Sequence, residues 1–328
     1  MTGSFYKPSG KLSGSFFLYY LLVLLIGVPI LSTIYVYLIY YVPIIYANLL
    51  ITLACGGLLG LMVGWAAKRG NVRNPFLVLL TSFLAVCALI YVSWAIYIPL
   101  IFSEVYLIDN YTFMERFPAA FALLLDPAGM LLSIETIHAW GVWVIGDGNA
   151  PINNGMLTAV WAVEFILLTS LAIGASWKQP RMPFSEESGE WYVEREEKIQ
   201  ADMPPNFDSL KNQMVNRNFT DLFQLVKTGR TDPFNYMSIT VFEPSKDFST
   251  EPHYLTIEAK TVGKKDKETS KTLVKHMLID TQNARELFTA LEAQAVEDET
   301  AYEQDEAEAL AEDNYPRAQS NFEDEDED

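Results

Sequence analysis

Charge of either sign is missing from Ser13 to Ala67 and again from Asn74 to Ser103, and Glu164 is the only charge between Asn154 and Trp177. Histidine and cysteine are scarce as well, three and two in 328 residues. Both cysteines, Cys55 and Cys87, sit inside apolar runs, with no Cys or His at zinc-ligand spacing. That excludes a disulfide framework and a zinc module, and reads as small apolar packing residues. Glu135 and His138 make one E-x-x-H pair, whereas a di-iron bundle needs two such pairs and two further carboxylates. The pair reads as a surface hydrogen bond or pH-sensitive contact. With no glycine-rich phosphate cradle and no nucleophile constellation, no catalytic residue, metal or cofactor is assigned.

The uncharged runs must instead be placed in a membrane. As one helix, Ser13–Ala67 would be about 80 Å long at ~1.5 Å per residue, against a hydrocarbon core of ~30 Å. It must fold back once. Pro43 is the expected turn, and Pro29 is expected to kink the first span. Asn74–Ser103 and Asn154–Trp177 are the third and fourth spans. The first run is too long for a signal peptide and lacks a small-residue cleavage site, so it reads as an uncleaved anchor.

Lys7 and Lys11 precede span one, Lys68, Arg69 and Arg73 separate spans two and three, and Lys178 and Arg181 follow span four. Glu104–Asn153 carries six acids against Arg116. Positive-inside counting therefore predicts both termini in the cytoplasm and residues 104–153 outside. Asp126-Pro127 is a helix start, and the helix should run through "AGMLLSIETIHAWGVWVIG" on or in the outer leaflet, with Trp140 and Trp143 at headgroup level.

Two features of the spans invite function. Gly56, Gly60 and Gly64 form a bare stripe for close helix packing within the bundle, for a homodimer face, or for a groove. Glu164 is a carboxylate at mid-membrane, where charge is costly and faces the bundle interior. It is either a proton-carrying or cation-coordinating group, or a protonated acid cross-linking helices. Asn48, Thr52, Ser93 and Tyr91 are its candidate partners.

After span four, residues 178–206 read as a proline-rich linker. Residues 207–295 read as a small α-β-β-β-α unit. Its helix at Asp208–Val226 should break at Asn216–Asn218, and its strands are "YMSITVF", "HYLTIEAKTV" and "TLVKHMLID", the last expected at the centre. Six lysines, Lys260, Lys264, Lys265, Lys267, Lys271 and Lys275, give its second hairpin a local +4 against Asp266 and Glu268. Such a patch suits an anionic leaflet; nucleic acid is disfavoured without arginine clusters or aromatic platforms. Residues 296–328 hold most of the formal charge of −18, because Glu297–Asp328 has 15 acids and one base. This tail is predicted to be disordered, and it could fold back on the lysines.

The stretches "YKPSGKLS" and "GNVRNP", the Trp-rich exterior helix and "PFSEESGEWYVE" resemble an uncharacterised group of bacterial four-span inner-membrane proteins. Members carry a Cys-x-x-Cys pair before the tryptophan matching Trp191. Ser185 and Ser188 stand there in this chain, so the resemblance implies no metal knuckle here and adds no catalytic residue.

The expected fold is an α-helical membrane protein, with four transmembrane helices in residues 1–177 and an exterior interfacial helix. A small α+β cytoplasmic domain and a disordered acidic tail follow. The leading functional expectation is an inner-membrane anchor or adaptor that holds a binding domain at the leaflet, with membrane lipids and a protein partner or second copy as its contacts. The alternative is a small transporter or channel using Glu164.

Overall fold

The computed structural model describes residues 5–42, 45–105, 113–142, 151–196, 198–245, 251–263 and 267–293. The expected turn at Pro43, Trp143, Lys264, Lys265 and the tail beyond residue 293 lie outside the described residues. Two compact units divide the chain, one made by Lys7–Trp191 and the other by the described parts of Met1–Tyr6 and Tyr192–Asp328.

The first unit is a helical bundle. Its opening span consists of α1 (Ser15–Leu22), a π turn (Val23–Gly27) and α2 (Val28–Tyr41). Pro29 lacks an N–H, and its ring would collide with the carbonyl four residues back in a regular helix. The wider π turn sits just ahead of it, and α2 restarts with Pro29 in its first turn. The proline therefore shifts the phase of the span without ending it. Next come α3 (Ile45–Arg69), α4 (Pro75–Val105) and α7 (Asn154–Ser176). Four helical segments, Ser15–Tyr41, Tyr46–Arg69, Pro75–Phe102 and Asn154–Arg181, are long and apolar enough to cross a membrane, with mean hydropathies of 2.0 to 2.5.

Their packing fits that solvent. Leu18, Leu25, Leu61, Phe76 and Ile166 point outward, while Phe16, Val28, Leu59, Val63, Leu89 and Leu168 fill the interior. Hydroxyls tie the helices across the core: Ser32 Oγ donates to Leu89 O at 3.1 Å, Tyr20 to Thr81 O at 2.8 Å, and Ser82 and Ser176 share a 2.8 Å bond. With no water present, such bonds satisfy groups that would otherwise be costly.

Between α4 and α7 the chain forms two helices where the sequence predicted one. Helix α5 (Phe113–Leu125) meets α6 (Pro127–Trp140) at a bend of 111° between them, so the pair has the composition of a broken span or re-entrant loop. Asp126 caps α6 as expected from Asp-Pro, accepting the Gly129 N–H at 3.0 Å. The helix stops at Trp140, short of the predicted end. Gly141 turns the chain at φ +85°, and a Cβ there would meet the Pro151 side chain at 2.8 Å.

The second unit is an antiparallel sheet covered by helices. Strands β1 (Val193–Glu194) and β2 (Ile199–Asp202) both pair with β3 (Asn235–Glu243), which pairs with β4 (His253–Val262), which pairs with β5 (Glu268–Ile279). Helices α8 (Phe207–Val215) and α9 (Thr220–Thr228) precede β3, and α10 (281–293) follows β5. The break between α8 and α9 falls at the asparagines, where Arg217 takes φ +63°. Two expectations need correction. The proline-rich stretch 178–206 contributes β1 and β2, so it is not only a tether. The central strand is β3, flanked on both sides and buried from Tyr236 to Phe242; β5 lies beyond β4. The apolar density of "TLVKHMLID" has a local cause instead. Leu255 faces Met277 but Ile257 faces Val274, so a bulge at Lys275–His276, with His276 at φ +49°, resets the alternation. Phe5 bridges to Met277, which brings the start of the chain into the sheet.

Candidate functional site

The glycine stripe sets the geometry of the membrane unit. Helices α3 and α7 run parallel, with Gly56, Gly60 and Gly64 against Leu168, Ala172 and Ser176. A Cβ on Gly60 would lie 2.8 Å from the Ala172 Cα, and one on Gly56 3.1 Å from the Leu168 Cα; at Gly64 the nearest atom is 3.5 Å away. Backbones this close hold the C-terminal halves of the two helices together. The N-terminal halves carry Tyr46, Leu49, Met156 and Val160 along their facing sides, and there the helices border an open-sided cavity of about 880 Å³. Helices α2 and α4, with Val142 after α6 and Ile152 before α7, supply the rest of its described wall.

Glu164 reaches this cavity from the middle of α7. Tyr35 on α2 donates a hydrogen bond to its Oε1, and the Tyr35 hydroxyl also bonds Thr52 Oγ1 at 3.2 Å. Asn48, Thr52 and Ser93, three of the four expected partners, line the same cavity. Thr52 acts through Tyr35, while Asn48 Oδ1 and Ser93 Oγ are buried without a hydrogen-bond partner among the described residues. Tyr91 points elsewhere and donates to Leu124 O at 2.9 Å. Aromatic rings form much of the remaining wall. Trp94 and Trp161 meet edge-to-face with centroids 5.0 Å apart, and Tyr97 stands 5.8 Å from Trp94. The arrangement can hold an apolar molecule of drug-like size and offer its polar end a carboxylate, a hydroxyl and an amide.

The other singled-out residues are dispersed. His138 Nε2 bonds Thr158 Oγ1 at 2.8 Å, and no cluster of three or more metal-ligating side chains occurs among the described residues. Cys55 is buried and Cys87 half-buried, each a free thiol. Of the lysines, Lys260 is not an open cation: its Nζ lies 2.6 Å from Glu268 Oε1 across the hairpin and 3.8 Å from Glu258. The hydrogen bond to Glu268 raises the Lys260 ammonium above its ordinary value and lowers the Glu268 carboxyl. Lys267, Lys271 and Lys275 are exposed.

A second polar assembly closes the opposite end of the bundle. Arg73, 7 % exposed, places Nε 3.1 Å from Glu186 and 3.2 Å from Ser9 Oγ, donates to Asn71 O at 3.0 Å, and stacks 4.2 Å over the Phe184 ring. The Ser9 hydroxyl, with Arg73 and Lys11 beside it, holds the Glu186 carboxyl below its usual range. The next turn is closed by Ser185, whose Oγ accepts the N–H groups of Glu187 and Ser188 at 3.2 and 3.0 Å, with Gly189 at φ +71°. These contacts are structural, fastening residues 9–11, 71–73 and 184–191 together.

Sequence reasoning found Glu164 but missed Tyr35, Trp94 and Trp161. The tyrosines of α2, Tyr35, Tyr37, Tyr40 and Tyr41, look alike in sequence. Which one faces inward depends on the phase shift of the π turn, about 100° for one extra residue. A Trp three residues before Glu164 was the signal available for Trp161, since i and i+3 share a helix face. Compared with models of protein families, with curated proteins and with solved structures, the chain matches none.

Proposed function

We propose that the membrane unit is a small transporter that takes a membrane-soluble molecule into the cavity around Glu164, with the α/β unit as its regulatory part. The observation that carries this reading is the meeting of the one mid-membrane carboxylate with an 880 Å³ cavity bordered by four helices. A bundle built only to anchor gains from closing such a space, because side chains packed across it would add dispersion contacts. The surroundings of Glu164 support the same reading. On the same cavity wall, Asn48 Oδ1 and Ser93 Oγ are buried acceptors with no hydrogen-bond partner among the described residues. The distribution of Lys and Arg supports an orientation with both termini in the cytoplasm.

The test is efflux of a panel of lipophilic dyes from proteoliposomes containing the full chain. At least one dye should move faster than in empty liposomes, and Glu164→Gln should abolish the difference while the protein stays monodisperse. Equal efflux by the variant would refute the role of Glu164.

A second reading, the anchor or adaptor, has its own support. The sheet of the α/β unit takes in chain from both sides of the bundle, Phe5 before it and β1 and β2 after it. The unit is therefore fastened by two chain connections rather than one, as a displayed binding domain would need. Purification from native membranes in mild detergent checks this. An adaptor should bring a stoichiometric partner that is lost when the chain is truncated after Trp177.

A further inference from the structure

We propose that the cavity around Glu164 is a binding site for lipophilic organic cations; this rests on the reading of the cavity as a ligand site and names the class of ligand. Three observations converge on that class.

The first is charge. Among the described cavity-lining residues Glu164 is the only one with a formally charged side chain, with no Lys, Arg, His or Asp in that set. Among the described residues its one hydrogen-bond donor is the neutral Tyr35 hydroxyl. A carboxylate held in so apolar a place has no counter-charge among the described lining residues, and a guest cation supplies it. An anionic guest would find no cationic side chain among the described lining residues.

The second is the wall. Six aromatic residues, Tyr35, Tyr46, Trp94, Tyr97, Trp161 and Phe165, line the same space. Aromatic faces attract organic cations, Trp most strongly, and the attraction grows where water is excluded. Trp161 stands one turn before Glu164 on α7, so carboxylate and indole are presented from one helix face to one guest.

The third is access. Tyr46, Leu49, Met156, Ala159 and Val163 are lining residues exposed at the surface. They place the mouth between the N-terminal halves of α3 and α7, on the apolar flank of the bundle. A guest entering there comes from the lipid phase, so it must partition into a bilayer. Charge complementarity and lateral access together select a delocalised or shielded cation with an apolar body. The unpartnered Ser93 Oγ, on a residue 8 % exposed, and Asn48 Oδ1 are left to bond any N–H or O–H the guest carries.

The experiment uses the full chain in lipid nanodiscs and three probes of similar bulk: tetraphenylphosphonium, tetraphenylborate and the neutral dye N-phenyl-1-naphthylamine. Saturable binding above that of empty nanodiscs is read by equilibrium dialysis, with tryptophan quenching as a second readout. Tetraphenylphosphonium should bind saturably and tetraphenylborate should not. Glu164→Gln should weaken the cation on the order of 30-fold, the scale of removing one partner of a desolvated charge pair. Trp161→Ala should weaken it about tenfold, as loss of a desolvated cation–π contact would. If the two ions bind the wild-type chain equally, or the borate binds better, the cation assignment is overturned while the cavity remains a ligand site. The same holds if only the neutral dye binds, or if Glu164→Gln leaves the cation affinity unchanged. If no probe binds saturably, both the cation assignment and the ligand-site reading fall. The comparison of the two ions needs no variant, so a misfolded Glu164→Gln chain would not leave the question open.

Discussion

Tyr35 on α2 donates its hydroxyl hydrogen to the carboxylate of Glu164 on α7, joining residues 129 positions apart at the edge of the membrane cavity. This contact gives the acid a place in the bundle, and it can be tested by removing either half. Tyr35→Phe strands the carboxyl group without its donor, and such a loss costs about 1–3 kcal/mol. In a double-mutant cycle with Glu164→Leu, the coupling energy should be on the order of 1 kcal/mol, because the second change removes the group the first one strands. Thermal unfolding in detergent measures it. Simple additivity of the two single changes would mean that the hydrogen bond contributes nothing.

The glycine stripe should be graded. Gly60→Ala forces a methyl to within 2.8 Å of the Ala172 backbone, which cannot turn aside as a side chain would. Overpacking of this kind costs about 1–3 kcal/mol. Gly64→Ala meets nothing nearer than 3.5 Å and should be neutral or slightly stabilising, since alanine favours the helix. Unfolding midpoints of the two variants decide it; equal effects would mean that α3 and α7 do not meet as described.

Arg73→Lys should not be tolerated as a conservative change. A lysine keeps the charge beside Glu186 but loses the planar fork that reaches Ser9, Asn71 O and Glu186, and the stacking on Phe184. The expected result is faster proteolysis within residues 182–191 in the variant, with the spans still inserted. A wild-type cleavage rate would show that charge alone suffices.

The α/β unit should weaken as pH falls below the ordinary histidine value of 6.5. Burial lowers the His253 pKa, with Glu243 and Glu251 only partly opposing it, so the unfolded chain takes up the proton first. The stability held by neutral His253 is complete above pH 6.5 and is lost progressively below it. The acids with depressed values, Asp202, Glu186 and Glu268, act only below their own ordinary values of 3.8 to 4.5, a separate window. Urea titration of the full chain, read by limited proteolysis of the α/β unit, should give a lower midpoint at about pH 5 than at about pH 7, and His253→Asn should flatten that difference. An unchanged slope in the variant would assign the effect to another group.

Sequence alone marked four runs long and apolar enough to cross a membrane. Three are uncharged and the fourth carries Glu164 alone, and a helix satisfies the backbone of each within the run itself. It also marked Glu164 and the glycines, since a mid-span charge and a spacing of four are visible without coordinates. The strands "YMSITVF" and "HYLTIEAKTV" were legible from their period of two; β1 and β2 were not, because two short strands among prolines carry no such period. The order of the sheet followed from which edge of β3 those strands took, a choice made by long-range pairing.

What only the tertiary structure decided was the cavity. Its volume lies where α3 and α7, in contact at glycines at one end, border an open space at the other, lined by Tyr46, Leu49, Met156 and Val160. Its polar partner, Tyr35, was selected by a π turn ahead of Pro29, which rotates α2 against the rest of the bundle. Side-chain chemistry is written along the chain; the angle between two helices and the phase of a third are settled only when they pack.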